Sequence, residues 1–261
     1  MKWIALTALV IFALYIVMCG VLYTIQTRLL YFPTPEGRPT GGTALVVQSG
    51  GVGLKVWQLH GSARNAVLYF GGNAEDVSAK ISEFDAIFPD RAVYLVHYRG
   101  YGGNPGTPSE KLLIADALAV YDAIQPHHER IAVMGRSLGS GVATALATAR
   151  PVEKVILVTP YDSIARVASD HYGWAPVRWL IRDSYDSQWR LKDVHAPVLA
   201  IIAARDEVIF RPRSDALVAA IPTDLRHVKV FPNATHNDIN LQPGYRESMR
   251  EFLAICARNE A

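Results

Sequence analysis

Residues 135–139 read Gly135-Arg136-Ser137-Leu138-Gly139, a serine with a glycine two positions away on either side. The apolar run Ile131-Ala132-Val133-Met134 precedes it, and the small residues Ser140-Gly141-Val142-Ala143-Thr144-Ala145 follow. A strand, a sharp turn and a helix in that order put a serine hydroxyl at the tip of the turn. Side chains two positions before and after it would collide with neighbouring strands and helix, which is a reason for glycine at both. The helix N-terminus adds positive potential where an oxyanion would form beside Ser137. The plain structural alternative is a serine that only caps the helix.

A serine hydroxyl is a weak nucleophile and needs a general base, which in turn needs an acid to hold it. In a strand-turn-helix context the chain order is serine, acid, histidine, leaving His171, His195, His227 and His236. His171 and His195 precede the strand expected at 198–203, with no acid at a strand end before them. His227 falls at the start of the last strand, away from its carboxyl end. His236, in Pro232-Asn233-Ala234-Thr235-His236-Asn237-Asp238, follows that strand in a short loop and fits. The acid is then Asp206, just past the preceding strand in Ala203-Ala204-Arg205-Asp206-Glu207-Val208-Ile209, with Glu207 and Asp238 as alternatives. For the oxyanion, one amide is expected from Leu138 and the second from the loop Phe70-Gly71-Gly72-Asn73-Ala74-Glu75-Asp76. The Asn73 amide is preferred there, with Gly72 as the alternative.

These groups need a scaffold that brings strand ends together. Strands are expected at 44–47, 54–59, 66–70, 92–97, 131–134, 155–158, 198–203 and 228–231. Helical spacing appears at 76–87, at 138–149, at 212–220, at 244–257, and from Glu110 to Ile124 behind a Ser109 cap. Nearly continuous apolar strands separated by helices mean a parallel sheet covered on both faces. The first two or three strands lack intervening helices and are expected to form an antiparallel edge. Residues 160–196 form a cap-like insertion containing Tyr172, Trp174, Trp179, Tyr185 and Trp189. Tyr172, Trp174 and Trp179 are candidate lining of an acyl pocket; the alternative is that the rings merely bury the insertion.

The chain has 261 residues, 50% apolar and 19% charged, with a formal charge of +2. That balance supplies no field to gather nucleic acid. From Trp3 to Thr27 no charged residue occurs, and 19 of the 21 residues Trp3–Tyr23 are apolar. Twenty-one residues at about 1.5 Å each cover roughly the 30 Å hydrocarbon core. Interfacial Trp3 and Tyr23, and the flanking Lys2 and Arg28, suit a single-pass anchor. A cleaved signal peptide has a shorter apolar region and a small-residue cleavage site. Without Trp3–Tyr23, the apolar share falls to roughly 46%, within the soluble range. The expected organisation is an anchor at 1–27, a Pro- and Gly-containing linker at 28–42 and a catalytic domain at 43–261. Cys19 and Cys256 imply neither a disulfide nor a metal centre, and no cofactor or metal is expected.

The motifs together resemble the α/β-hydrolase superfamily. Within it, the chain is similar to the Bem46-like, membrane-anchored serine hydrolases related to α/β-hydrolase domain-containing proteins 13 and 17. The likeness runs from Leu29 to Phe252 through Leu29-Leu30-Tyr31-Phe32-Pro33, Gly72-Asn73-Ala74, His97-Tyr98-Arg99-Gly100-Tyr101-Gly102, Gly135 to Gly141, Pro160-Tyr161-Asp162-Ser163, Asp206-Glu207-Val208-Ile209 and His236-Asn237-Asp238. Relatives commonly carry His-Gly-Asn where this chain has Gly71-Gly72-Asn73. The resemblance implies ester, thioester or amide hydrolysis through an acyl-enzyme, on a small-molecule or lipid-like acyl substrate. A peptidase on the same fold would use the same triad, and a non-catalytic binding protein would usually lack one of its members.

Overall fold

The protein is described from a computed structural model over residues 1–35 and 37–255. Eight strands form one sheet: β1 (Thr43–Ser49), β2 (Val52–Leu59), β3 (Asn65–Phe70), β4 (Ala92–Val96), β5 (Arg130–Arg136), β6 (Val155–Val158), β7 (Val198–Ala203) and β8 (Arg226–Phe231). Their order is β1-β2-β4-β3-β5-β6-β7-β8. β1 pairs with β2, and β2 with β4, in antiparallel register; every other pairing is parallel. The antiparallel edge is therefore made by β1 and β2. β3 does not join it but lies inside the sheet between β4 and β5. A strand buried on both sides cannot tolerate polar faces, and β3 is accordingly apolar from Ala66 to Phe70.

Side chains alternate across each strand, and the sheet buries two separate cores. Ala66, Leu68 and Phe70 face one, with Val133, Leu157 and Ala200. That layer is closed by α3 (Glu110–Ile124), α4 (Leu138–Ala149) and α8 (Arg211–Ala220). Val67 and Tyr69 face the other, with Met134, Val158 and Ile201, closed by α2 (Ile81–Ile87) and α9 (Tyr245–Ala254). Ser109 caps α3 by accepting from the Leu112 amide. On that helix Leu113, Asp116, Ala117, Val120 and Ile124 turn inward, whereas Leu112 is exposed. Asp116 is carried inside because it meets the buried Arg99 guanidinium at both oxygens. α4 is buried from Leu138 to Ala147, which explains its small residues: a Cβ on Gly141 would sit 2.3 Å from the Tyr161 hydroxyl.

Residues 77–80 form a 3-10 turn ahead of α2, so the helix is shorter than the expected 76–87. The end of the expected 244–257 helix, with Cys256, lies outside the described residues. Between β6 and β7 run three short helices, α5 (Ile164–His171), α6 (Val177–Leu180) and α7 (Ser187–Arg190). At the N-terminus, α1 spans Lys2–Leu30, passing three residues beyond the expected end of the anchor. Tyr31 follows it directly into the core, 2% exposed, and its hydroxyl meets Asp183 Oδ2 at 2.9 Å and the Tyr185 hydroxyl at 3.0 Å.

Candidate active site

β3 and β5 are neighbours, but the chain leaves them in opposite directions, toward β4 and toward β6. Their carboxyl ends thus flank a crevice where loops part, the place where open α/β sheets bind ligands. The loop after β5 holds Ser137 and the loop after β3 holds Gly71, Gly72 and Asn73.

Ser137 has φ 48° and ψ −116°, a conformation that side chains rarely enter. Packing enforces it. A Cβ on Gly135 would lie 2.1 Å from the Gly139 carbonyl, and one on Gly139 would lie 2.1 Å from the Phe70 carbonyl. The Ser137 amide donates to Val158 O on β6 at 2.9 Å, while its carbonyl accepts from the Ser140 amide and hydroxyl at 2.9 and 2.7 Å. Its hydroxyl is turned out of the helix, 3.1 Å from His236 Nε2.

His236 stands in the turn after β8, where Asp238 Oδ1 accepts from the Thr235 amide at 2.7 Å. Asp238 therefore orders the loop. The ring nitrogen Nδ1 lies 2.8 and 3.0 Å from the two Asp206 oxygens. Asp206 Oδ1 also accepts the Val208 and Ile209 amides, at 2.9 and 2.7 Å, so its carboxylate is held from both sides. Among the described residues, Glu207 reaches only the His236 backbone amide, at 3.4 Å. With an ionised Asp206 as acceptor, Nδ1 carries the proton and Nε2 is left to accept from the serine hydroxyl. The other three histidines are elsewhere: His171 Nε2 is against Val208 O, His195 is exposed, and His227 packs edge-on against Phe252.

The Leu138 amide is the first of α4, one of the N–H groups that a helix leaves without an internal acceptor. Across from it, a Cβ on Gly72 would fall 3.6 Å from that of Ser137, so the β3 loop borders the serine. The Gly72 amide is already donated to Glu75 Oε2 at 2.8 Å, whereas the Asn73 amide has no acceptor among the described residues. Of the two alternatives the geometry therefore favours Asn73. At Gly71 the space where a side chain would begin is taken by Val77 Cγ1, 2.7 Å from an ideal Cβ. The missing histidine of the common His-Gly-Asn pattern is thus accommodated by loop packing.

Two further residues were not legible from the motifs alone. Glu75 accepts from Gly72, from the Tyr69 hydroxyl at 2.7 Å and from Arg136 Nη1 at 3.0 Å. Arg136 also donates through Nη2 to the His236 carbonyl at 3.0 Å. One buried ion pair thereby ties the β3 loop, the serine turn and the histidine loop together. Burial works against the Arg136 charge, but Glu75 and Tyr69 outweigh it and raise its pKa above the ordinary value. The arginine inside the glycine-flanked motif was the available signal.

The cap aromatics divide. Tyr185 is fully buried against Tyr31. Tyr172 lines an apolar cleft between α1 and the cap, with Leu22, Leu29, Ala168, Val177 and Leu180. Trp174 and Trp179 do not line it and stand 55% and 91% exposed.

A doubly covered, mostly parallel sheet with a serine elbow and a histidine–aspartate pair on later strand-end loops defines an α/β hydrolase. The chain is 39% identical over 249 residues to an uncharacterized Mycobacterium tuberculosis protein, Rv2307c, covering 89% of this chain and 88% of that one. It is 28% identical over 204 residues to Protein bem46 of Schizosaccharomyces pombe, with 74% and 68% covered. Over 199 residues it is 30% identical to alpha/beta hydrolase domain-containing protein 17C of Homo sapiens, with 74% and 59% covered. Among solved structures it shares the fold of the Pyrococcus furiosus esterase Pf2001, with a TM-score of 0.69 at 16% identity over 85% of this chain and 98% of that one. No family model matches the chain. These likenesses support a Bem46-like α/β hydrolase.

Proposed function

We propose that the chain is a membrane-anchored serine hydrolase that cleaves carboxylic ester or thioester bonds through an acyl-enzyme. The observation that carries this reading is the unbroken line Ser137 Oγ, His236 Nε2, His236 Nδ1 and Asp206, with contacts of 3.1 and 2.8 Å. Along it, His236 takes the Ser137 proton as Oγ attacks the acyl carbon. The developing oxyanion is met by the Leu138 and Asn73 amides. Collapse expels the alcohol or thiol, protonated by His236, and leaves the acyl group on Ser137. Water, deprotonated by the same histidine, then releases the acid and restores the serine. Asp206 keeps the imidazole in the required tautomer and stabilises its charged form.

The anchor reading rests on α1. Its 29 residues carry a mean hydropathy of 2.7 in their most apolar window, and only 6% of that window is buried. At about 1.5 Å per residue, such a helix outreaches the roughly 30 Å hydrocarbon core.

Turnover of p-nitrophenyl acetate by the full chain in detergent tests the reaction. Ser137→Ala and His236→Ala should each lower kcat by about 10⁴-fold or more, with the pair no worse than either alone. Wild-type turnover by Ser137→Ala would overturn the assignment.

A further inference from the structure

α1 is not a bare tether. Its residues withdrawn from full exposure are Tyr15, Met18, Cys19, Leu22, Ile25, Gln26, Thr27 and Leu30, a stripe at helical spacing. That stripe lies along the cap. The Tyr15 hydroxyl donates to Trp174 O at 3.3 Å, Gln26 bridges Leu180 O at 3.1 Å and the Arg182 amide at 2.8 Å, and Arg182 lies over the Tyr23 ring at 4.1 Å. Between helix and cap remains an apolar cleft of about 130 Å³ that is open at its mouth.

Depth follows from the helix. If Trp3–Tyr23 fills the hydrocarbon core, Leu22 stands at the near boundary and Tyr15 about 10 Å deeper, at 1.5 Å per residue. The cap segment that touches Tyr15 is then immersed in the near leaflet, with the exposed rings of Trp174 and Trp179 on its surface. Amphipathic aromatics suit that boundary. The cleft would open among acyl chains rather than into water. One lining residue is tied to the loop beside the serine: the Leu30 carbonyl accepts from Asn73 Nδ2 at 2.6 Å, and neighbouring Gly72 borders Ser137.

We propose that the cleft between α1 and the cap binds one acyl chain of a bilayer lipid, entering sideways from the leaflet so that its ester reaches Ser137. The proposal rests on the membrane-anchored serine hydrolase reading and names its substrate class. One lipid ester and one water would yield one fatty acid and one lipid alcohol, with the acyl group carried on Ser137 between the two steps.

The test uses the full chain in phosphatidylcholine vesicles whose lipid carries a photoactivatable diazirine on one acyl chain. Adducts are expected on residues 22–30 and 164–181. Adducts confined to outward residues of α1 such as Leu9, Val10 and Phe12 would overturn the proposal. Independently, Leu22→Trp and Ala168→Trp fill the cleft from opposite walls. Each should lower the ratio of kcat/KM for p-nitrophenyl palmitate to that for the acetate at least tenfold, and an unchanged ratio in both contradicts the site. Photolabelling does not need Ser137. Failure of the hydrolase reading, seen as undiminished ester turnover by Ser137→Ala, is therefore distinguishable from failure of the cleft.

Discussion

Arg136 sits within the turn that strains Ser137, yet its side chain points away to Glu75 and to the His236 carbonyl. A buried ion pair of this kind contributes little net stability, but removing one partner leaves an uncompensated charge and costs about 3–5 kcal/mol. Glu75→Gln and Arg136→Met should each lower stability by roughly that range in urea titrations. The double substitution Glu75→Met with Arg136→Met should recover part of the loss. A double variant as unstable as the sum of the singles would contradict the pairing. That Ser137, His236 and Asp206 would meet was legible from residue types and chain order, because each falls at a strand end with a motif around it. The Glu75–Arg136 pair was not, because 61 residues separate its members in sequence and only the sheet order joins them.

The inner strands were readable as apolar runs, since parallel strands covered on both faces cannot hide polar residues. The place of β3 between β4 and β5 was not, because local pattern carries no information on sheet order. The reach of α1 was also missed: charge at Arg28 suggested an end, but Leu30 and Phe32 continue into contacts with the β3 loop. There Asn73 Nδ2 donates to Leu30 O, while Asn73 Oδ1 accepts the Phe32 amide at 2.9 Å and the Tyr101 hydroxyl at 2.8 Å. Asn73 is thus a positioning residue through its side chain, joining the end of α1 to the loop that borders Ser137. Asn73→Ala keeps the backbone amide and loses this latch. It should lower kcat more than it changes KM, by up to the 10²- to 10³-fold that loss of one oxyanion donor costs. A kcat equal to wild type would show that the latch does not position the loop.

At the scale of the whole molecule, His128 gives one buried polar contact a pH dependence. Its ring lies between Tyr94 Oη at 2.7 Å and Ala63 O at 2.8 Å. Burial pushes its pKa below the ordinary value, against the opposing effect of the Ala63 hydrogen bond. The unfolded chain therefore takes up this proton first as pH falls. The stability contributed is whole above about pH 6.5, the unfolded value, and is lost as pH drops from there through the depressed folded value. The fall in urea midpoint between pH 7.5 and 5.5 should be shallower in His128→Asn than in wild type; an equal or steeper fall would contradict the assignment. At this scale α1, the cap and the sheet form one continuous arrangement, with the end of α1 hydrogen-bonded to the loop beside the serine. The most direct measurement of the central claim is the site at which a fluorophosphonate probe reacts with the full-length chain, mapped by peptide mass spectrometry. A single adduct on Ser137, absent in Ser137→Ala and strongly slowed in His236→Ala, is the predicted result; an adduct on another residue, or labelling that persists in Ser137→Ala, would contradict it.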